Sequence, residues 1–268
     1  MLKTFFSSFL FGLALSFLAL LSGTPSFAAE EIRCEGEYPA HLQGFASDGE
    51  HIFWSFTSVL VQTDLTGKIL RKMDVPSHHG DCCVADGKLY VSTHLRWPRA
   101  DAESWIYVYE CSDLAFVTRF RIEKYDLRGV DGISFHDGFF YVGIGKDPKD
   151  TTPFNLLLKL TPKFEIVETY EVPGETTYGF QSSCWADGSF WFGTYGRNGT
   201  RTLQCGPDLK VIANQPINVS VGVFGLPQSA NGEVRLMAAQ HHKNEETGKC
   251  WASARPVVLK DGKLEWEK

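Results

Sequence analysis

Beyond residue 28 the chain has no apolar run near the ~20 residues that span a bilayer, so nothing there reads as a membrane helix. It has no run of lysine and arginine and holds more acid than base. That removes the electrostatic footprint of a nucleic-acid binder and most attraction to an anionic membrane. No stretch repeats apolar residues at the 3.6 period for long enough to make a packed helix. GxSxG, the P-loop, HExxH, HxH and CxxC are all missing. No activated nucleophile, phosphate cradle or local metal motif is therefore written in the chain.

What stands at the start is one charge, Lys3, and then FFSSFLFGLALSFLALL from Phe5 to Leu21. Small residues follow at −3 and −1 of Ser26-Phe27-Ala28. Residues 1–28 thus read as a secretory signal peptide cut after Ala28, and the expected location is secreted or periplasmic. Residues 29–268 number 240 and carry 25 basic against 32 acidic side chains, a net charge of −7. That is ample for one domain with a buried core.

An Asp-Gly turn between two apolar runs recurs at Asp48-Gly49, Asp86-Gly87, Asp137-Gly138 and Asp187-Gly188, with Asn231-Gly232 as a fifth copy. The runs that follow are HIFWSFT, KLYVSTH, FFYVGIG, SFWFGTY and EVRLMAA. These dipeptides reach the positive φ pair of a two-residue type I′ turn, so each copy predicts a β-hairpin. The intervals of 38, 51, 50 and 44 residues approach the length of a four-stranded propeller blade. The expected fold is all-β: a five-bladed β-propeller with four antiparallel strands per blade, one domain after the signal peptide. Its blades are expected near 41–75, 77–122, 129–172, 178–217 and 219–268, with 29–40 helping closure. The N-terminal strand and the terminal LEWEK compete there for one outer place. A sandwich would explain the short-range pattern but not five aligned hairpins at this spacing.

Strict two-residue turns also predict the register. His79 then faces His94, Asp81 faces Ser92, His41 faces Phe56, Val130 faces Gly145 and Phe180 faces Tyr195. In a propeller the inner strands start, and the second strands end, on the face opposite the Asp-Gly turns. His41, Gln43, His79, Asp81, His94, Asp131, Gln181, Tyr195 and Arg197 collect there, beside His78, Arg96, His241 and His242. Every long loop lies on that face too. Polar groups at a channel mouth rimmed by insertions make the expected ligand site. His79, Asp81 and His94 supply two imidazoles and a carboxylate, a set suited to a divalent metal such as zinc or calcium. Trp54 and Trp191 read as blade packing; Trp97, between Arg96 and Arg99, is the tryptophan whose context favours a ligand.

Seven cysteines (34, 82, 83, 111, 184, 205, 250) enter a compartment where disulfides form, and an odd count leaves at least one unpaired within the chain. Cys82 and Cys184 read as inner-strand residues, and Cys111 and Cys205 as third-strand ones. Two strand spacings, roughly 9.5 Å, are too far for bridges 82–111 or 184–205. Cys34 with Cys250, both in the closing blade, is the least disfavoured pair.

Across its five repeats the chain resembles the β-propeller superfamily. HLQGFASDG with IFWSF and LVQTDLTGK, HHGD with DGKLYVSTH, and GFQSSCWADG with WFGTYG are similar to secreted bacterial propellers whose role is not established. Leu42-Gln43-Gly44-Phe45 is also similar to the Thr-Gln-Gly-Leu pattern that opens the first blade of the plant-type glutaminyl cyclases, which are five-bladed propellers. Where their second blade opens on Phe-Gly-Glu-Gly, this chain has His79-Gly80-Asp81-Cys82. That resemblance implies acyl transfer with Asp81 as acid or base.

Two function classes follow. The first is a binding module that holds a small polar ligand, such as a sugar or a peptide end, at the channel mouth. The second is an enzyme on the same face, either a metal-assisted hydrolase of the lactonase kind or a cyclase-like acyl transferase, with Asp81 and His79 as catalytic candidates. The lack of an activated nucleophile favours binding.

Overall fold

Three of the expected turns have the geometry that the dipeptide requires. Asp86 and Gly87 take φ of 48° and 71°, Asp137 and Gly138 48° and 77°, Asp187 and Gly188 48° and 74°. Asp48-Gly49 instead opens a four-residue loop. Ser47 pairs with Ile52, and Asp48 Oδ1 accepts the N–H groups of Glu50 (2.9 Å) and His51 (2.6 Å). Asn231-Gly232 lies within a longer loop, because the last strand pair before it is Leu226 with Arg235. A further copy that the repeat pattern misses, Asp261-Gly262, has the type I′ angles of 48° and 77° and joins the last two strands.

The computed structural model describes residues 31–268; the expected signal peptide lies outside them. Blade one holds β2 (Leu42–Ser47), β3 (Ile52–Phe56), β4 (Val59–Thr63) and β5 (Ile69–Asp74), after a short β1 (Ile32–Arg33). Blade two holds β6 (His79–Ala85), β7 (Lys88–Leu95), β8 (Glu103–Glu110) and β9 (Phe116–Arg121). Blade three holds β10 (Val130–His136), β11 (Phe139–Ile144), β12 (Phe154–Leu160) and β13 (Ile166–Pro173). Blade four holds β14 (Thr176–Ala186), β15 (Ser189–Gly196), β16 (Thr202–Cys205) and β17 (Val211–Gln215). Blade five holds β18 (Val223–Leu226), β19 (Arg235–Lys243), β20 (Cys250–Lys260) and β21 (Lys263–Trp266). The chain is a five-bladed β-propeller.

Closure differs from the expected competition for one place. β20 runs for 11 residues, long enough to seat both termini along one edge. Ile32 and Arg33 pair with Ala254 and Ser253, while Lys263–Trp266 pair with Val257–Lys260. Five apolar clusters then fill the five junctions between blades, the last joining Ile32, Tyr38, Leu42 and Trp54 to Met237 and Ala252. Trp54 and Trp191 are fully buried in them, as expected, each with its indole N–H bonded (Thr63 Oγ1, 3.0 Å; Ala186 O, 3.2 Å). The cysteines are all free thiols. Cys184 pairs with Trp191 and Trp191 with Gln204, so Cys205 lies two strands from Cys184. Cys34 Sγ sits 3.3 Å from Tyr38 Oη and is not bonded to Cys250.

The expected register fails at the bulge in blades two, three and four, and from the turn onward in blade one, where the four-residue loop already shifts the pairing. Four inner strands carry a one-residue bulge: between Leu42 and Gly44, His79 and Cys82, Val130 and Ile133, and Phe180 and Ser182. Leu42 thus takes Phe56, His79 faces Thr93, Val130 faces Ile144 and Phe180 faces Thr194. A bulge re-aims the side chains beyond it. Here it also lets the inner strands close on the axis. A Cβ on Gly44 would fall 2.5 Å from Asp81 Cα, and one on Gly80 2.6 Å from Asp131 Oδ1, so only glycine fits.

Asp81 occupies that narrowing. Its Oδ2 accepts the backbone N–H of Ile133 at 2.9 Å and of Ser183 at 2.8 Å, tying blade two to blades three and four. Its own N–H donates to Asp131 Oδ1 at 3.2 Å, and Ser182 Oγ carries the chain of bonds on to Val219 O at 2.6 Å. Oδ1 of Asp81 is buried without a partner. Burial pushes this carboxyl well above the usual carboxylate range, Asp131 adds to the rise, and the backbone donors oppose it. A raised carboxyl stabilises the fold below its unfolded value, and that stability is lost as pH rises through the folded one. We expect Asp81→Ala to cost about 2–5 kcal/mol, because two buried N–H groups lose their acceptor. Asp81→Asn keeps an acceptor for both, so its urea midpoint should stay near that of the wild type at pH 4 and fall less as pH rises above the unfolded carboxyl value of about 3.9. Equal losses in the two proteins between pH 4 and pH 8 would show that the folded carboxyl ionises as readily as the unfolded one.

Candidate functional site

The bulge in blade two decides which histidines meet. His78, not His79, exchanges both backbone bonds with His94 (3.2 and 3.1 Å), and their rings lie 4.4 Å apart. His79 turns the other way, into the junction with blade one. There it is fully buried between Pro76 O (2.7 Å from Nδ1) and Tyr109 Oη (2.8 Å from Nε2), 5.0 Å from the Tyr107 ring. His94 faces blade three, where a Cβ on Gly129 would come within 3.3 Å of its ring. His79 and His94 thus lie on opposite faces of blade two. With Asp81 locked between backbone donors, the expected metal set does not converge.

The mouth opposite the turns opens into a cavity of about 560 Å³. An arc of rings walls it: His41 to His78 (6.4 Å), His78 to His94, His94 to Trp97 (6.0 Å), Trp97 to Tyr178 (6.3 Å) and Tyr178 to Tyr195 (6.2 Å). Gln43, Asp131 and Gln181 enter from the starts of the inner strands, beside the bulges. His41, Gln43, His94, Asp131, Gln181 and Tyr195 therefore line one site, as does Trp97. His79 and Asp81 do not. Nor does Arg197, whose guanidinium is bonded to Asp150 O (3.1 Å) and Pro148 O in the blade-three insertion.

Sequence reasoning left His78 out of the ligand set because the assumed register credited its neighbour. It missed Tyr178, Arg128 and Lys146, which come from loops whose paths no local pattern encodes. Lys146 is buried and donates to Thr152 O and Phe154 O, so it holds the insertion in shape. Arg128 is exposed at the rim. Arg96 is held by Glu103 (2.6 Å) and Asp101 (3.2 Å).

The site is built from neutral imidazoles. One amide, Gln43 Nε2, donates to Nε2 of His41 (2.8 Å) and Nε2 of His78, which leaves both rings as acceptors. Burial lowers His78 to about 3 and His94 to about 4; burial and the His241 charge lower His41. Nδ1 of His94 is buried without a partner. Burial raises Asp131 well above the carboxylate range. Tyr195 is pushed up to about 12 by burial, then by Asp131. The cavity therefore offers hydrogen-bonding groups and ring faces, with its one lining carboxyl held toward the neutral form.

No protein-family model matches the chain, and no curated protein does. Solved structures similar to it include a protein of unknown function from Bacteroides caccae, with 16% identity over 87% of this chain and 82% of that one, TM-score 0.48. A streptogramin B lyase has 15% identity over 83% and 71%, TM-score 0.46. A gluconolactonase from Xanthomonas campestris, XC5397, has 14% identity over 79% and 70%, TM-score 0.46. At these identities no residue's role is carried across.

The imidazoles make the site sensitive to acid. A histidine lowered below its unfolded value of about 6.5 binds protons in the unfolded state first, so stability is full above that pH and drains as pH falls toward the folded value. The raised Asp81 and Asp131 act with the opposite sign, so a comparison with a variant is needed to isolate the imidazole. Between pH 7 and pH 4.5 the wild type should lose more urea-unfolding free energy than His94→Gln, by on the order of 1–2 kcal/mol. Parallel losses would mean that His94 is solvated.

Proposed function

We propose that the chain is exported and binds a small polar molecule with one flat apolar face, a sugar-like ring, in the cavity opposite the turns. The observation that carries this reading is the arc of six rings around the Gln43 and Gln181 amides and the unpartnered His94 Nδ1. Ring faces cover the apolar side of such a ligand, while amides and neutral imidazoles bond its hydroxyls. The volume of about 560 Å³ suits a mono- or disaccharide-sized molecule.

A hydrolytic or acyl-transfer reading is favoured by one feature, the Asp131 carboxyl. It lines the cavity and is raised toward neutrality by burial, as a general acid requires. Asp81, to which the cyclase resemblance points, stands behind it and outside the cavity. A metal-assisted version lacks its ligand set, as described above.

Thermal unfolding with a panel of neutral saccharides, aldonic acids, lactones and dipeptides tests both readings. At about a hundredfold excess over Kd the binding class should raise the midpoint by about 5–10 °C. Trp97→Ala should remove that shift while leaving the unliganded midpoint nearly unchanged, and Gln43→Ala should remove it while lowering the unliganded midpoint, because His41 and His78 lose their donor. No shift with any class, or one that survives both substitutions, would overturn the site. Release of product from a lactone or ester, lost in Asp131→Asn, would replace the binding reading with the enzymatic one.

A further inference from the structure

The other end of the channel has a different chemistry. On the face of the Asp-Gly turns, beyond the narrowing at Asp81, a second cavity of about 480 Å³ is lined by all five blades. Its walls are rings and thiols: Phe135, Trp185 and Phe224, with Cys82, Cys83 and Cys184. Trp185 is fixed by His136 stacked on it at 3.5 Å and by Phe190 at 4.7 Å. Burial raises the thiols of Cys82, Cys83 and Cys184, so all three stay protonated. A protonated thiol is a poor nucleophile and a poor metal ligand but a soft, polarisable wall.

Charge is scarce there. Among the lining residues Asp187 alone is charged, and its Oδ1 already accepts Gln228 Nε2 at 2.6 Å. One polar anchor remains in the wall. Ser183 Oγ donates to Ser134 Oγ at 2.8 Å, and among the described residues the Ser134 hydroxyl proton has no acceptor. A soft aromatic enclosure with one spare hydroxyl donor selects an uncharged ring that bears one oxygen acceptor.

From this geometry we infer a second binding site, at the turn-side mouth, for a small uncharged aromatic molecule with one oxygen substituent, of the benzyl alcohol or phenol class. It stands on residues separate from those of the first cavity and does not depend on the reading given to that site.

Cys83 reports on the site, being partly exposed where its two thiol neighbours there are buried. Cys250, equally half-buried but in the closing blade opposite Tyr38, is the internal control. Alkylation of the protein with excess reagent over hours, slow because the Cys83 thiol is held protonated and followed by peptide mapping, should show benzyl alcohol lowering the Cys83 rate saturably and by at least about fivefold, with the Cys250 rate unaffected. Ser134→Ala combined with Ser183→Ala, which removes both hydroxyls of the pair, should raise the benzyl alcohol concentration needed by about tenfold, the loss of one hydrogen bond, and leave the toluene concentration unchanged. A titration followed by tryptophan emission, compared with Trp185→Phe, reads the same site without relying on thiol reactivity. Unchanged Cys83 alkylation with no saturable emission change, or equal slowing of Cys83 and Cys250, would overturn the inference.

Discussion

One buried carboxyl holds the centre of this propeller. Blade junctions are apolar and non-directional, and they would tolerate sliding of one inner strand along the next. Asp81 prevents it by accepting N–H groups from Ile133 and Ser183, one from each of the next two blades. Those donors exist because each inner strand is the edge of its sheet, so its N–H groups that point to the axis have no ladder partner. The glycines at 44 and 80 let the strands come near enough for a single side chain to span the gap.

The same bulge divides the channel. Toward the long loops it turns Gln43, Asp131 and Gln181 into one mouth, beside imidazoles that burial keeps neutral. Toward the turns the ladders are regular, and small, sulfur-bearing and aromatic residues line the other mouth. One structural device therefore yields two cavities of similar size and opposed character.

The raised carboxyls at the narrowing and the lowered imidazoles above it are two results of one cause. Each group is withdrawn from water more completely than any neighbouring charge compensates. The pair Asp81 and Asp131 is disfavoured as two anions, and the imidazoles have no carboxylate close enough to charge them. The imidazoles and Asp131 consequently add little charge of their own, and the formal charge of the site comes from Arg96, Arg128 and Lys146 around its rim.

Local chemistry along the chain is enough to specify the all-β class, the five hairpin repeats and the face on which the polar residues gather. Alternation and Asp-Gly chemistry are local, and three of the named turns adopt the angles they demand. It also gathered His41, Gln43, His94, Asp131, Gln181, Tyr195 and Trp97 at one mouth, where they line one cavity, since position along an inner or second strand translates directly into height along the axis. The tertiary structure alone decided the rest. Bulges arise from the crowding of five strands around an axis, so no hairpin rule applied to one blade foretells them. That single-residue shift exchanged His79 for His78, buried Asp81 between backbone donors and dissolved the expected metal set. The loops that bring Tyr178, Arg128 and Lys146 to the rim are held by contacts between distant segments, such as Arg197 with Asp150, which local spacing does not encode.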